Sequence, residues 1–138
     1  MIRILLKSTT IVILMMLALA QGCTDHLTPG RIQLTTLPFE VQNGQFTFAV
    51  QVDEPGDLPV KEYGVVYTAY FRGAGSPNLD PTVDDNRIRF NLPMVTGLNK
   101  FDFGANFFNG RTFFYYRAFA ITDDNTVVYG NRLTFTLP

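Results

Sequence analysis

A chain of 138 residues, 46% of them hydrophobic and 14% aromatic, has enough apolar matter for one packed domain and is not a disordered sequence. Its formal charge of −1 comes with no basic patch or arginine-rich stripe, which argues against nucleic acid as a partner. The single cysteine, Cys23, rules out an internal disulfide.

Residues 1–22 have the pattern of a secretory signal that forms a helix. Arg3 and Lys7 supply a positive start, and Ile11 to Ala20 a short apolar run. A spanning helix needs about 20 consecutive apolar residues, and Lys7-Ser8-Thr9-Thr10 interrupts this one. Leu19-Ala20-Gln21-Gly22-Cys23 then resembles the lipobox of bacterial lipoproteins. That resemblance implies cleavage before Cys23, acylation of its thiol and new amino terminus, and a membrane partner reached through lipid. Two or three acyl chains give stable anchoring where one gives marginal binding. Residues 23–30, Cys23 to Gly30, form the acylated cysteine and a short polar tether. Thr24 is not the aspartate that retains enteric lipoproteins in the inner membrane, so the resemblance favours the outer membrane.

From residue 31 to 138, period-two alternation and turn residues predict strands. Ile32, Leu34 and Leu37 mark a first strand ended by Pro38, and Phe46, Phe48, Val50 and Val52 a second. Glu54-Pro55-Gly56-Asp57 reads as a turn. Val60 to Phe71 is the third strand, followed by a polar loop from Arg72 to Asn86. Ile88, Phe90 and Leu92, then Phe101, Phe103 and Ala105, give two more. Thr112 to Thr122 and Thr126 to Leu137 form a last hairpin across Asp123-Asp124-Asn125. No helical stripe occurs after residue 30. The prediction is all-β: a seven-stranded immunoglobulin-like sandwich.

The C-terminal third narrows this. Phe114-Tyr115-Tyr116-Arg117-Ala118-Phe119-Ala120, then Tyr129-Gly130-Asn131, then Phe135-Thr136, resembles the last strands of the fibronectin type III-like domains of Bacteroidetes lipoproteins. Val60-Lys61-Glu62-Tyr63-Gly64-Val65-Val66-Tyr67 resembles their third strand. One departure matters. Phe114 stands where a corner tyrosine would bond back to the chain, so only Tyr115 or Tyr116 can supply that hydroxyl. The resemblance assigns a fold and an envelope location, and no single role.

Chemistry is sparse. After the signal the chain has one His (His26), one Ser (Ser76) and Cys23, too few for a nucleophile–base pair or a His/Cys metal site. No enzyme activity and no cofactor is expected. Asp84-Asp85-Asn86 and Asp123-Asp124-Asn125 offer hard oxygen ligands suited to Ca²⁺. Turn formation explains the same residues, because Asp and Asn nucleate turns and each triplet precedes a strand. The positive hint of binding is aromatic. With Phe114, Tyr116, Ala118 and Ala120 in the core, Phe113, Tyr115, Arg117 and Phe119 should face outward. Tyr115, Arg117 and Phe119 would then form an exposed platform for a sugar or a protein segment. The reading is a non-catalytic interaction module on a lipid anchor. The alternatives are a glycan-binding accessory lipoprotein and a subunit that assembles by strand exchange.

Overall fold

Strand β3 (Gln45–Glu54) shows how the alternation works out. Phe46, Phe48, Val50 and Val52 are all buried on one side, while Thr47 and Gln51 lie half-exposed on the other. A computed structural model describes residues 30–71, 78–104, 110–111 and 113–136, and the described residues form strands and turns with no helix. Cys23, His26, Ser76 and the signal segment lie outside the described residues.

Two antiparallel sheets pack face to face. In the first, β3 is flanked on one edge by β6 (Gly97–Gly104), which pairs along residues 45–52. Its other edge is shared by β1 (Gln33–Thr36) and β2 (Glu40–Gln42). In the second, β4 (Val60–Tyr70) lies between β5 (Asn86–Arg89) and β7 (Phe113–Thr122). The far edge of β7 carries β8 (Val127–Tyr129) and β9 (Leu133–Thr136).

Among the described residues nine strand segments stand in place of the expected seven, and the reason is local. Pro38 has no N–H to give the ladder, so the first ribbon breaks after Leu37 donates to Ala49 O at 3.1 Å. Phe39 turns inward there, and its ring centre lies 4.9 Å from that of Phe48 and 4.0 Å from that of Phe135. The ribbon resumes as β2 and returns through Asn43-Gly44. Both residues have positive φ, 52° and 75°, the two-residue hairpin turn that an Asn-Gly pair favours. The last ribbon breaks at Gly130-Asn131-Arg132. Joined across these breaks, three ribbons face four.

The core lies between the sheets. Phe48, Val50 and Val52 meet Tyr63 and Val65 from β4, Tyr116, Ala118 and Ala120 from β7, and Ile88 and Phe90. Each fully buried Val or Phe contributes about 1.5–3 kcal/mol relative to an exposed one. Leu92 does not extend this face: β5 ends at Arg89, and Leu92 is open to solvent. The strand registers also define two poles. Gly30 and the turns at 55–59, 92–96 and 123–126 share one pole, and the Asn43-Gly44 turn and the C-terminal end of β9 lie at the other.

Candidate functional site

Strand β7 carries the residues that the alternation sends outward, and the structure separates them into two groups. Phe119 is fully buried, together with Val66 and Ile121, under Val83, Val127 and Tyr129. The expected platform of Tyr115, Arg117 and Phe119 is thus corrected. The alternation is right, but the segment from Asn78 to Asp85 folds over that side of the sheet.

This cover is held by side chains. Arg117 donates from Nε to Pro81 O at 2.6 Å, and its guanidinium lies 3.9 Å from the centre of the Tyr129 ring. A cation over an aromatic face contributes about 0.5–2 kcal/mol, more as water is excluded. Tyr129 Oη accepts from Val83 N–H at 2.9 Å, and Thr68 Oγ1 donates to Asn78 O at 2.8 Å. Arg132 reaches Asp80 at 3.0 Å and Leu79 O at 3.3 Å. Arg117 is therefore a clamp, half-buried and satisfied.

The two acidic triplets do turn work. Asp85 accepts from Thr82 N–H at 2.8 Å and from Asn78 Nδ2 at 3.0 Å, and Asp84 N–H donates to Thr82 Oγ1 at 3.3 Å. Asp124 accepts from Thr122 Oγ1 at 2.5 Å and from Thr126 N–H at 3.0 Å, and these bonds, Thr122 first, hold its carboxyl below the usual carboxylate range. Asp123 N–H donates to Pro59 O at 3.0 Å, and Asn125 takes φ 67° and accepts from Lys61 Nζ. No group of three or more His, Cys, Asp or Glu that could hold a metal ion occurs among the described residues.

What stays accessible is the far end of the same face. Tyr115 is half-buried, edge-on to Tyr70 with ring centres 6.5 Å apart, and 6.1 Å from exposed Phe113. Beyond them Phe71 is exposed, and Arg111 lies over its ring at 5.9 Å. The rings of Tyr70, Tyr115 and Phe113 form a set that differs from the expected platform. It keeps Tyr115, loses Arg117 and Phe119, and gains Tyr70 and Phe113. The alternating pattern already placed Phe113 outward; Phe71 and Arg111 sit at strand ends, where periodicity says little.

Tyr116 does not make the expected corner bond to the chain just upstream of β7; it reaches the first ribbon. Its hydroxyl accepts from Phe39 N–H at 2.9 Å and donates to Leu37 O at 3.3 Å, across the sandwich at the break in the first ribbon. Burial pushes its pKa up, and the Phe39 bond partly offsets this. The Tyr-Gly-Asn run has a matching task at the other break. Thr36 N–H donates to Asn131 Oδ1 at 2.8 Å, and Asn131 Nδ2 donates to Thr36 O at 3.4 Å. Ala118 N–H, which has no β-strand partner there, donates to Thr36 Oγ1 at 2.8 Å. Gly130 permits this approach, since a Cβ would sit 2.8 Å from Thr36 Oγ1 and 3.0 Å from Leu34 O. The two sheets are stitched along this side by side chains.

No family model matches the chain, and neither does any curated protein or solved structure.

Proposed function

We propose that this chain is the precursor of a bacterial cell-envelope lipoprotein, held in the outer membrane by acylated Cys23, whose sandwich is a non-catalytic interaction module. The observation that carries this reading is the run Leu19-Ala20-Gln21-Gly22-Cys23, followed within seven residues, 24–30, by a two-sheet domain. Three antiparallel ribbons facing four, without a disulfide, support an immunoglobulin-like sandwich of the fibronectin type III kind. The aromatic strip of Tyr70, Phe113 and Tyr115 is the contact surface we assign to it. It lies away from the pole where the tether enters. Exposed aromatic rings with a polar edge suit sugars and peptide segments alike.

The anchor is tested by labelling cells with an alkyne analogue of palmitate. The wild-type chain should carry the label and sediment with membranes, and Cys23→Ala should lose both. A label that survives Cys23→Ala would remove the lipobox reading.

A glycan-binding accessory role is the second reading, favoured by the exposed rings. Affinity electrophoresis of the soluble chain from Thr24 onward, on a panel of polysaccharides, tests it. Retardation lost in a Phe113→Ala/Tyr115→Ala variant that still melts cooperatively supports a glycan site. Absence of retardation on every polymer turns the search to protein partners by crosslinking in intact cells. The strand-exchange reading requires displacement of β1, which is paired along β3 and bonded from Thr36 to Asn131.

A further inference from the structure

Four large aliphatic side chains stand open at the pole where the described chain begins: Leu58 (37%), Leu92 (52%), Val95 (51%) and Leu98 (52%). Leu58 and Pro59 on one turn face Leu92, Pro93 and Met94 on another across a shallow cleft of about 600 Å³. Among the described residues the one charged group lining this cleft is Asp57, and it is engaged. Gly30 N–H donates to its carboxylate at 2.5 Å, and Asp57 N–H donates back to Gly30 O at 3.2 Å. That reciprocal pair fixes the point where the chain enters the domain to the same turn that presents Leu58. Prolines in both turns restrict the loops.

We propose that this pole is a membrane-docking face, with Leu58, Leu92 and Val95 entering the boundary between headgroups and acyl chains of the bilayer that holds Cys23. The inference rests on the lipid-anchor reading. What commits it to a bilayer is the length of the tether and where it ends. Residues 24–30 reach at most about 25 Å when fully extended, at roughly 3.3–3.6 Å per residue. The apolar pole is therefore kept close to the membrane surface at high effective concentration, so a weak apolar contact is enough to hold it there. Apolar groups at such surfaces settle about 5–10 Å into the interface. No cation lines the cleft among the described residues, so docking through it should not need anionic lipid and should resist salt.

Two valines of matching exposure make the test. Val95, at 51%, belongs to this pole, and Val41, at 50%, lies beside the hairpin turn at the opposite one. The full chain is produced in cells that acylate it, carrying either Val95→Cys or Val41→Cys. The introduced thiol takes an environment-sensitive fluorophore, and the protein is placed in phosphatidylcholine vesicles containing a lipid with a spin label at the headgroup–chain boundary. Quenching at position 95 should exceed that at position 41 by about twofold or more, as expected for a group seated in the interface. It should fall toward the position-41 value in a Leu58→Ser/Leu92→Ser background and persist in high salt. Equal, weak quenching at both positions in a chain shown by mass to be acylated overturns the docking face and leaves the anchor intact. A chain that is not acylated overturns both.

Discussion

The two faces of β7 carry similar residues and lead different lives. On the inner face Phe114, Tyr116, Ala118 and Ala120 meet the opposite sheet, as the alternation requires. On the outer face the strand divides. Ile121 and Phe119 are sealed under the segment 78–85, Arg117 marks the margin, and Tyr115 and Phe113 run out toward solvent. The lesson is that the pleat decides which way a side chain points, and a loop from elsewhere in the chain decides whether it stays wet.

The largest expected effect sets the two faces against each other. Phe114→Ala and Phe119→Ala should each cost about 3–5 kcal/mol in urea denaturation, the range for truncating a buried aromatic. If Phe119→Ala costs less than about 0.5 kcal/mol, as surface changes do, the outer cover is not a second core and the comparison fails. Asn131→Ala should cost about 1–3 kcal/mol, because buried Thr36 loses the partners of its N–H and C=O. Tyr116→Phe should cost about 1 kcal/mol at neutral pH through the loss of the Phe39 bond.

That variant also sharpens the inner face by pH. Burial raises the pKa of Tyr63, Tyr67 and Tyr116 above the ordinary 10.0. Above pH 10 the unfolded chain ionises while the folded one stays neutral. Stability is therefore full below pH 10 and is lost as pH rises through the folded values. Melting temperatures from pH 9 to 11 should fall, less steeply in Tyr116→Phe than in the parent. The smallest effect belongs to the open end of the outer face. Phe113→Ala should move stability by no more than about 0.5 kcal/mol, so any loss of binding in that variant reports on the surface itself.

Much of the fold was legible in the residues. The alternation in 46–52, 60–71 and 113–122 set β3, β4 and β7 and their inner faces, because a half-buried strand repeats every second residue. Asn43-Gly44 was the clearest missed signal, and it accounts for β2. The break at Gly130 was less accessible, since it depends on Thr36, a residue far away in sequence that must come close enough to bond Ala118. The candidate site was only half legible. Phe119 pointed outward as expected, yet apolar Val66 and Ile121 beside it were already a sign that something must cover them. Pattern on a single strand does not tell which loop arrives, and here it is Pro81 and Val83 that do.

The clasp between Gly30 and Asp57 leads into a strand whose ladder is antiparallel to β3. A tug on the amino terminus, opposed at the hairpin end of the domain, is directed along β1, perpendicular to the bonds between the two strands. Those bonds are then stressed together and not one after another, as the teeth of a zip would be. Single-molecule pulling from the amino terminus should give a higher rupture force than pulling β1 sideways from a handle at Thr35. The domain has the mechanics of a cleat, firm along the line by which it is tied.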